Sequence, residues 1–282
     1  MKLIPDPEKI SVVIEKIKQL KKRIGFVPTM GALHSGHFSL INRARKENDI
    51  VVVSIFVNPT QFGKGEDFKE YPRRFKKDIG FCRRLGEDFV FLPDRNNMYP
   101  EGYSTFINVD NLSDCLCGVS RPGHFRGVAT VVAKLLNIVH PDTLYLGQKD
   151  AQQAIIISRM VKDLNFPVKV KVLPTVRQGD GLALSSRNAY LNKQERSVAL
   201  VLSKALRLAE TLISNGQRNC GSIISRMKQL IEKNKQAKID YIAIVDPEQL
   251  KELKKIAPGC LIALAVKIGK VRLIDNTVIG CA

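Results

Sequence analysis

Short apolar segments alternate with amphipathic ones through the first 175 residues, and this alternation constrains the fold more than any other feature. The apolar runs at residues 24–27, 50–57, 89–92, 143–146 and 168–173 are typical of buried strands. Helical spacing predicts helices over residues 7–22, 36–46, 76–85, 128–139 and 151–164. Strands that alternate with helices form right-handed crossovers and a parallel sheet. The pattern therefore predicts an α/β domain over residues 1–175, a Rossmann-like doubly wound parallel sheet.

The pattern changes after residue 175. Two helical stretches, residues 196–214 and 222–234, precede short predicted strands at 239–245, 261–266 and 271–274. Helices followed by a small antiparallel sheet predict a separate, smaller C-terminal α+β domain over residues 176–282. A chain of 282 residues is long enough for both domains.

Composition narrows the classes of partner. The net charge of +18 favours an anionic partner: a phosphorylated metabolite, a nucleic acid or a membrane surface. Aromatic residues make up only 6 % of the chain and Trp is absent, which disfavours a protein that stacks nucleic-acid bases. The longest apolar run is too short to span a bilayer, and residues 1–6 lack the apolar stretch of a signal peptide. We therefore expect neither a nucleic-acid partner nor a membrane.

The cysteines indicate a reducing compartment. They are scattered, and no pair of them has metal-ligand spacing to a second Cys or His pair. We therefore predict a cytoplasmic protein without a protein-held metal. The six positions are Cys82, Cys115, Cys117, Cys220, Cys260 and Cys281.

In an open parallel sheet, ligands bind beyond the carboxyl ends of the strands. Two histidines, His34 and His37, lie after the first predicted strand and at the start of a helix. Helix-start N–H groups favour phosphate, and Gly36 permits close approach of a ligand. The imidazoles are suited to donate hydrogen bonds to a phosphoryl group as its negative charge develops. The alternative interpretation is that both histidines cap or pack the helix.

Polar side chains also follow the second strand and the strand at residues 143–146. Asn58 and Gln61 carry amides able to bind hydroxyl and carboxylate groups, although Asn-Pro also marks ordinary turns. Gly147 admits a ribose or base, Lys149 offsets phosphate charge, and Asp150 is predicted to cap the next helix. A plain N-cap beside a solvated lysine is the alternative here.

Two further loops carry anion-binding side chains. Residues 176–188 contain two Gly, a Ser-Ser pair and Arg187, which predicts a mobile loop able to fold over a triphosphate; a linker is the alternative. Residues 118–126 supply Arg121, His124 and Arg126, as an anion-binding loop or an ordinary surface loop.

This combination suits attack on the α-phosphate of ATP, which gives an adenylate and pyrophosphate. No Walker A motif is present, and no Gly-x-Gly-x-x-Gly follows the first strand. These absences argue against a P-loop phosphotransferase and a dinucleotide oxidoreductase. The residues alone therefore indicate an adenylating enzyme with a small polar co-substrate.

In their order and spacing, the motifs resemble the pantothenate synthetase (pantoate–β-alanine ligase) family of the HxGH nucleotidyltransferase superfamily. The similarity runs through residues 28–45, 53–73, 121–153 and 174–191. The resemblance implies a ligase that makes pantoyl adenylate from pantoate and ATP and then transfers the pantoyl group to β-alanine. It also implies Mg²⁺ on the ATP phosphates, no organic cofactor, a cytoplasmic homodimer, and a C-terminal domain that acts as a lid.

The resemblance also implies roles for individual residues. His37 would be the proton donor, with His34 beside it stabilising phosphate, and the other predicted catalytic residues are Lys149, Ser185, Ser186 and Arg187. The residues that would bind pantoate and β-alanine are Gln61, Gln153 and Asn58. The predicted ATP-binding residues are Met30, Gly31, Ala32, Leu33, His34, Ser35, Gly36, His37, Gly147, Gln148, Lys149, Asp150, Val176, Leu184, Ser185, Ser186 and Arg187.

Two alternatives stay open. One is another HxGH adenylyltransferase acting on a different small acceptor, or a fragment of a class I aminoacyl-tRNA synthetase. The Asn-Pro-Thr-Gln and Gly-Gln-Lys-Asp segments count against it. The other is a basic nucleic-acid-binding protein, which the scarcity of aromatic residues disfavours.

Overall fold

Six parallel strands form the larger sheet in the computed structural model, which describes residues 1–280. The sheet order is β1-β4-β3-β2-β5-β6. From β2 the chain adds β3 and β4 toward one edge and then β5 and β6 toward the other, so the strand order reverses between β2 and β5. Such a reversal is where open α/β sheets bind ligands. The strands are β1 (Lys2–Ile4), β2 (Ile24–Thr29), β3 (Ile50–Ile55), β4 (Phe89–Phe91), β5 (Thr143–Gly147) and β6 (Lys169–Leu173).

Helices follow these strands, as the alternation predicted. Residues 51–55 of β3 are all buried, which requires cover on both faces of the sheet because successive side chains alternate between faces. On one face, Ile41 and Cys82 pack with Val53. The helices are α1 (Pro7–Gln19), α2 (Ser35–Glu47), α3 (Phe75–Arg84), α4 (Arg95–Met98), α5 (Cys117–Ser120), α6 (His124–Val139) and α7 (Ala151–Asp163).

A second sheet lies in the C-terminal part of the chain. Its strands are antiparallel in the order β7-β8-β9, and apolar residues of the helices pack on it around Ile244 and Ile262. The predicted α+β character is confirmed. The elements are α8 (Lys193–Ala199), α9 (Val201–Ser214), α10 (Cys220–Glu232), β7 (Ala237–Val245), β8 (Leu261–Ile268) and β9 (Val271–Val278).

The residues group into two compact units. The first contains residues 1–113, 121–147 and 156–174. The second contains the chain from Thr175 onward together with residues 114–120 and 148–155. The assignment of one part to nucleotide and pantoate binding and the other to a lid stays a prediction.

Several predicted bounds change. The predicted helix over residues 196–214 is two helices, α8 and α9, which meet at Leu200. Strand β9 continues past its predicted end at residue 274 to Val278. In the described residues, none of the helices has the length and apolar character needed to cross a membrane. The five cysteines there are free thiols, and Cys281 lies outside the described residues.

Candidate active site

A buried carboxylate shapes the loop that follows β2. Asp78, on α3, is 1 % exposed and accepts the N–H groups of Ala32 and Leu33, both at 2.9 Å. A Cβ atom on Gly31, whose φ is +81°, would lie only 3.1 Å from the carboxylate of Asp78. Asp78 therefore holds the main chain of two residues that were predicted to line the ATP site. Sequence prediction missed this residue, which lies 46 and 45 positions along the chain from its two partners.

The two histidines hold each other at the start of α2. His34 Nδ1 accepts the N–H of Gly36, and His37 Nδ1 accepts the N–H of His34, each at 3.2 Å. Their ring centroids are 4.1 Å apart. An imidazole nitrogen accepts only when it carries no proton, so both rings are neutral with the hydrogen on Nε2. The alternative capping role is therefore real, and it makes Nε2 the donor nitrogen of each ring.

Asn58 is used entirely inside the protein. It is 1 % exposed, and its Nδ2 donates to Gln61 Oε1 at 3.0 Å and to the carbonyl oxygen of Gly127 at 3.1 Å. Its Oδ1 accepts hydrogen bonds from the hydroxyls of Thr60 and Tyr99, both at 2.9 Å. The amide has no remaining donor for a ligand. Asn58 thus orients Gln61, and the pantoate or β-alanine contact predicted for it stays a prediction.

The main chain of Gln61 is held by a second group of side chains. His124 Nδ1 lies 2.7 Å from the Gln61 carbonyl oxygen, and Arg121 Nη1 lies 2.9 Å from His124 Nε2. Arginine can only donate, so His124 accepts at Nε2 and donates from Nδ1. Glu66 pairs with Arg121 through two contacts of 2.7 Å. Burial opposes ionisation of Glu66, but Arg121 outweighs it and lowers the pKa of that carboxyl to about 2. Arg121, predicted to bind an anion, is thus paired with Glu66 and supports Gln61.

Helix α6 approaches the Gln61 segment closely because Gly127 has no side chain. A Cβ atom there would lie 2.3 Å from the carbonyl oxygen of Thr60. Gln61 itself donates from Nε2 to the sulfur of Met30 at 3.2 Å. The structure therefore brings together Met30, Gln61 and Asn58, which belong to two different predicted motifs.

In the second unit, the Lys149 segment is a short 3-10 turn, residues Gln148–Asp150, that runs directly into α7. Asp150 is the last residue of this turn, directly before α7, and its carboxylate lies 3.2 Å from Lys149 Nζ. Asn276 of β9 donates from Nδ2 to the carbonyl oxygens of Gln148 and Lys149 at 2.9 and 3.0 Å. Gly147, the last residue of β5, precedes this turn and belongs to the first unit.

Residues 176–184, within the segment predicted to be a mobile loop, form a backbone-paired hairpin. The carbonyl oxygen of Val176 accepts the N–H of Leu184 at 3.0 Å, and Arg177 pairs with Ala183. Arg177 also makes a bidentate ion pair with Asp275, at 2.6 and 2.9 Å. The hairpin is thereby tied to β9.

The remaining predicted residues lie at two helix starts. Ser185 precedes a 3-10 turn, Ser186–Tyr190, and its Oγ accepts the N–H of Arg187 at 3.2 Å. Gln153 is half-buried in the first turn of α7. Its neighbour Gln152 is buried and contacts the main chain of residues 115–117: it accepts an N–H at 3.0 Å and donates to a carbonyl oxygen at 2.8 Å.

The predicted residues thus fall into two groups, one in each unit. The first unit holds Met30, Gly31, Ala32, Leu33, His34, Ser35, Gly36, His37, Asn58, Gln61 and Gly147. The second holds Gln148, Lys149, Asp150, Gln153, Val176, Leu184, Ser185, Ser186 and Arg187. Sequence prediction missed Asp275 and Asn276, because it ended this strand at residue 274.

Comparison with known proteins identifies close relatives. The family described as pantoate-beta-alanine ligase matches residues 2–278. Pantothenate synthetase of Pseudothermotoga lettingae is 51 % identical over 278 residues, which are 95 % of this chain and 99 % of the relative. The crystal structure of pantothenate synthetase from Thermus thermophilus has a TM-score of 0.95 at 41 % identity and covers 100 % of both chains. The Francisella tularensis ligase, complexed with beta-gamma ATP and β-alanine, has a TM-score of 0.81 at 40 % identity, covering 99 % of this chain and 97 % of that one.

Proposed function

This chain belongs to the pantoate-β-alanine ligase family, and we propose that it condenses pantoate with β-alanine, with ATP as the third substrate. Relatives at about half identity over nearly the whole chain carry the name pantothenate synthetase, so another HxGH adenylyltransferase is not favoured. The observation within this structure that carries the proposal is the pair of histidines beyond the carboxyl end of β2, in which each Nδ1 accepts a backbone N–H and Nε2 is left as the donor nitrogen.

The first step forms the adenylate. A carboxylate oxygen of pantoate attacks the α-phosphorus of ATP, and the bond from that phosphorus to the oxygen bridging to the β-phosphate breaks. Pyrophosphate leaves with the bonding electrons. We assign His37 as the donor from Nε2 to the phosphoryl oxygens, where negative charge develops, and His34 as a second donor beside it. Proton donation by His37, which the resemblance implies, stays a prediction; the hydrogen bond from Nε2 is the part of that role that this step needs, because pyrophosphate leaves as an anion.

The second step forms the amide. The unprotonated amine of β-alanine attacks the acyl carbon of pantoyl adenylate, the bond from that carbon to the AMP oxygen breaks, and the amine loses a proton. Gln61 is the residue we assign to pantoate and β-alanine. Gln61 is 7 % exposed, and its side chain is fixed by Asn58 and Met30. Its amide is therefore ordered before the substrate binds, which lowers the entropy cost of binding. Gln153 is assigned to pantoate.

Residues of the second unit are assigned to the nucleotide. Lys149 would offset the charge of the phosphates, with Ser185, Ser186, Arg187 and the main chain of Val176 and Leu184 as further contacts. Mg²⁺ would enter on the ATP phosphates, because this ion usually binds through substrate phosphates and water. Its contribution there is to neutralise phosphate charge.

The assembly and location that the resemblance implies remain part of the proposal. We propose a homodimer in the cytoplasm, with the C-terminal part acting as a lid. Strand β6 is the edge of the larger sheet and Val172 on it is 39 % exposed, which makes this edge a candidate for contact between copies. Sedimentation equilibrium at two protein concentrations measures the mass of the assembly.

ATP–pyrophosphate exchange tests the reaction. Exchange that requires pantoate, measured without β-alanine, establishes the adenylate step. Added β-alanine should then release AMP and pantothenate in equal amounts. A folded protein that binds ATP but shows no pantoate-dependent exchange would contradict the proposal and favour a different acceptor.

A further inference from the structure

Two consecutive polar residues of strand β9, Asp275 and Asn276, are buried. Asp275 is 3 % exposed and Asn276 is 5 % exposed, between apolar and half-buried neighbours. Burying a carboxylate and an amide is costly unless every polar atom finds a partner. Their partners therefore indicate what the pair does.

The Asn276 amide is committed to the turn that carries Lys149. Nδ2 donates both hydrogens, one to each of the carbonyl oxygens of Gln148 and Lys149, at 2.9 and 3.0 Å. Oδ1 accepts a hydrogen bond from Gln148 Nε2 at 3.0 Å. Two of these three contacts fix the main chain of consecutive residues, and with it the point from which the Lys149 side chain extends.

Asp275 holds Asn276 in place. Asp275 Oδ1 accepts the N–H of Asn276 at 2.8 Å, and the carboxylate is clamped by Arg177 at 2.6 and 2.9 Å. Arg177 follows Val176, so the same two residues of β9 also anchor the start of the hairpin. Bidentate arginine–carboxylate pairs are strong and geometrically specific. All these residues belong to the second unit.

We propose that Asn276 is a positioning residue for Lys149: it sets the place of that lysine for the ATP phosphates without contacting ATP. This inference rests on the proposed function, which assigns Lys149 to the nucleotide. Asparagine suits the task because it alone of the similarly shaped side chains supplies two donors and one acceptor. Aspartate at this position would set a carboxylate against two carbonyl oxygens.

Asn276→Asp is the direct test, because it keeps the shape and removes both donated hydrogens. The Kd of MgATP, measured by titration calorimetry, should rise about tenfold to hundredfold, since a small misplacement of a binding group has that effect. The KM for ATP in the exchange assay should rise with it, while the KM for pantoate changes less than about twofold. Thr277→Ala is the matched control: its hydroxyl donates to Glu210 at 2.7 Å, and its loss should leave the Kd of MgATP unchanged.

A double-mutant cycle separates positioning from general stability. If Asn276 acts through Lys149, Asn276→Asp should weaken MgATP binding far less in a Lys149→Ala background than in the wild type. Equal effects in both backgrounds, or an unchanged Kd in the single variant, would overturn the inference. Should Asn276→Asp not fold, Asn276→Ala, which removes the hydrogen bonds without adding charge, is measured in the same way. Absence of pantoate-dependent exchange in the wild type would instead contradict the proposed function.

Discussion

The backbone N–H of His34 donates to Nδ1 of His37 at 3.2 Å, so the first histidine of the pair orients the ring of the second. His34 in turn accepts the N–H of Gly36 through its own Nδ1. Helix capping and the proposed chemistry therefore use different nitrogens of the same rings. Capping fixes which nitrogen carries the hydrogen, and that hydrogen is the one the proposed reaction uses.

This division of labour predicts different outcomes for two substitutions of His37. Glutamine places an amide N–H near the position of Nε2, whereas asparagine replaces only the Nδ1 acceptor. We expect His37→Asn to slow pantoate-dependent exchange by about a hundredfold to a thousandfold, as for loss of one transition-state donor, and His37→Gln to retain more activity. His140→Asn, at the C-cap of α6, is the control and should exchange at the wild-type rate. A smaller loss in His37→Asn than in His37→Gln would mean that capping through Nδ1, not donation from Nε2, is the role.

Gln61→Ala should impair pantoate use more than ATP binding. The amide of Gln61 is buried and held by Asn58, so it is already ordered before the substrate binds. The substitution removes this ordered binding group. A site built to bind a polar substrate group loses about tenfold or more when one partner is missing. The KM for pantoate should rise by that factor while the Kd of MgATP stays within about twofold. A defect confined to ATP binding would contradict the assignment.

Gly127→Ala should displace the segment that carries Gln61 without changing any residue assigned to the substrates. The new Cβ atom would lie 2.3 Å from the Thr60 carbonyl oxygen, which is main chain and cannot rotate away. Overpacking of this kind costs about 1–3 kcal/mol, so urea unfolding should show a stability loss together with a higher KM for pantoate. Gly80→Ala is the matched control, because in the described chain no atom beyond its two neighbours and the backbone of its own helix lies within 4 Å of a Cβ built there. It should keep wild-type kinetics and gain about 0.5–1 kcal/mol from helix propensity.

Hydrophobic periodicity predicted the fold. It did not predict which polar side chains contact one another at the candidate site. The run at residues 50–57 identified a strand covered on both faces, and the residues that follow each strand identified the candidate site. The sequence did not show that Asp78 would reach the loop after β2, or that Asn276 would reach the Lys149 turn 127 residues away. Contacts at that separation depend on how elements pack, which periodicity does not encode. The same limit explains Asn58, whose residue type suits a ligand but whose donors are consumed by Gln61 and Gly127.

A buried carboxyl group, Glu87, should make the stability of the fold depend on pH. Glu87 is 2 % exposed, and neither of its carboxyl oxygens has a hydrogen-bond partner among residues 1–280. Burial raises its pKa from 4.5 to about 8, with Arg45 opposing and Asp88 adding to the shift. The folded chain therefore keeps a proton that the unfolded chain has already lost between these two pH values. Stability from this group is fully present below about pH 4.5 and is lost as the pH rises toward 8.

Glu87→Gln removes this ionising group and should therefore make the stability of the fold less dependent on pH. Between pH 5 and pH 8, the free energy of unfolding of the wild type should fall by on the order of a few kcal/mol relative to that of Glu87→Gln, since each unit of pKa shift is worth about 1.4 kcal/mol. Urea unfolding at pH 5, 6, 7 and 8 measures the difference, with Glu15→Gln on the exposed side of α1 as the matched control. Parallel curves for the wild type and Glu87→Gln would show that the carboxyl ionises in the folded protein as it does in the unfolded chain, and would refute the prediction. Curves that converge at low pH and separate above pH 5, with the variant more stable, are the expected result.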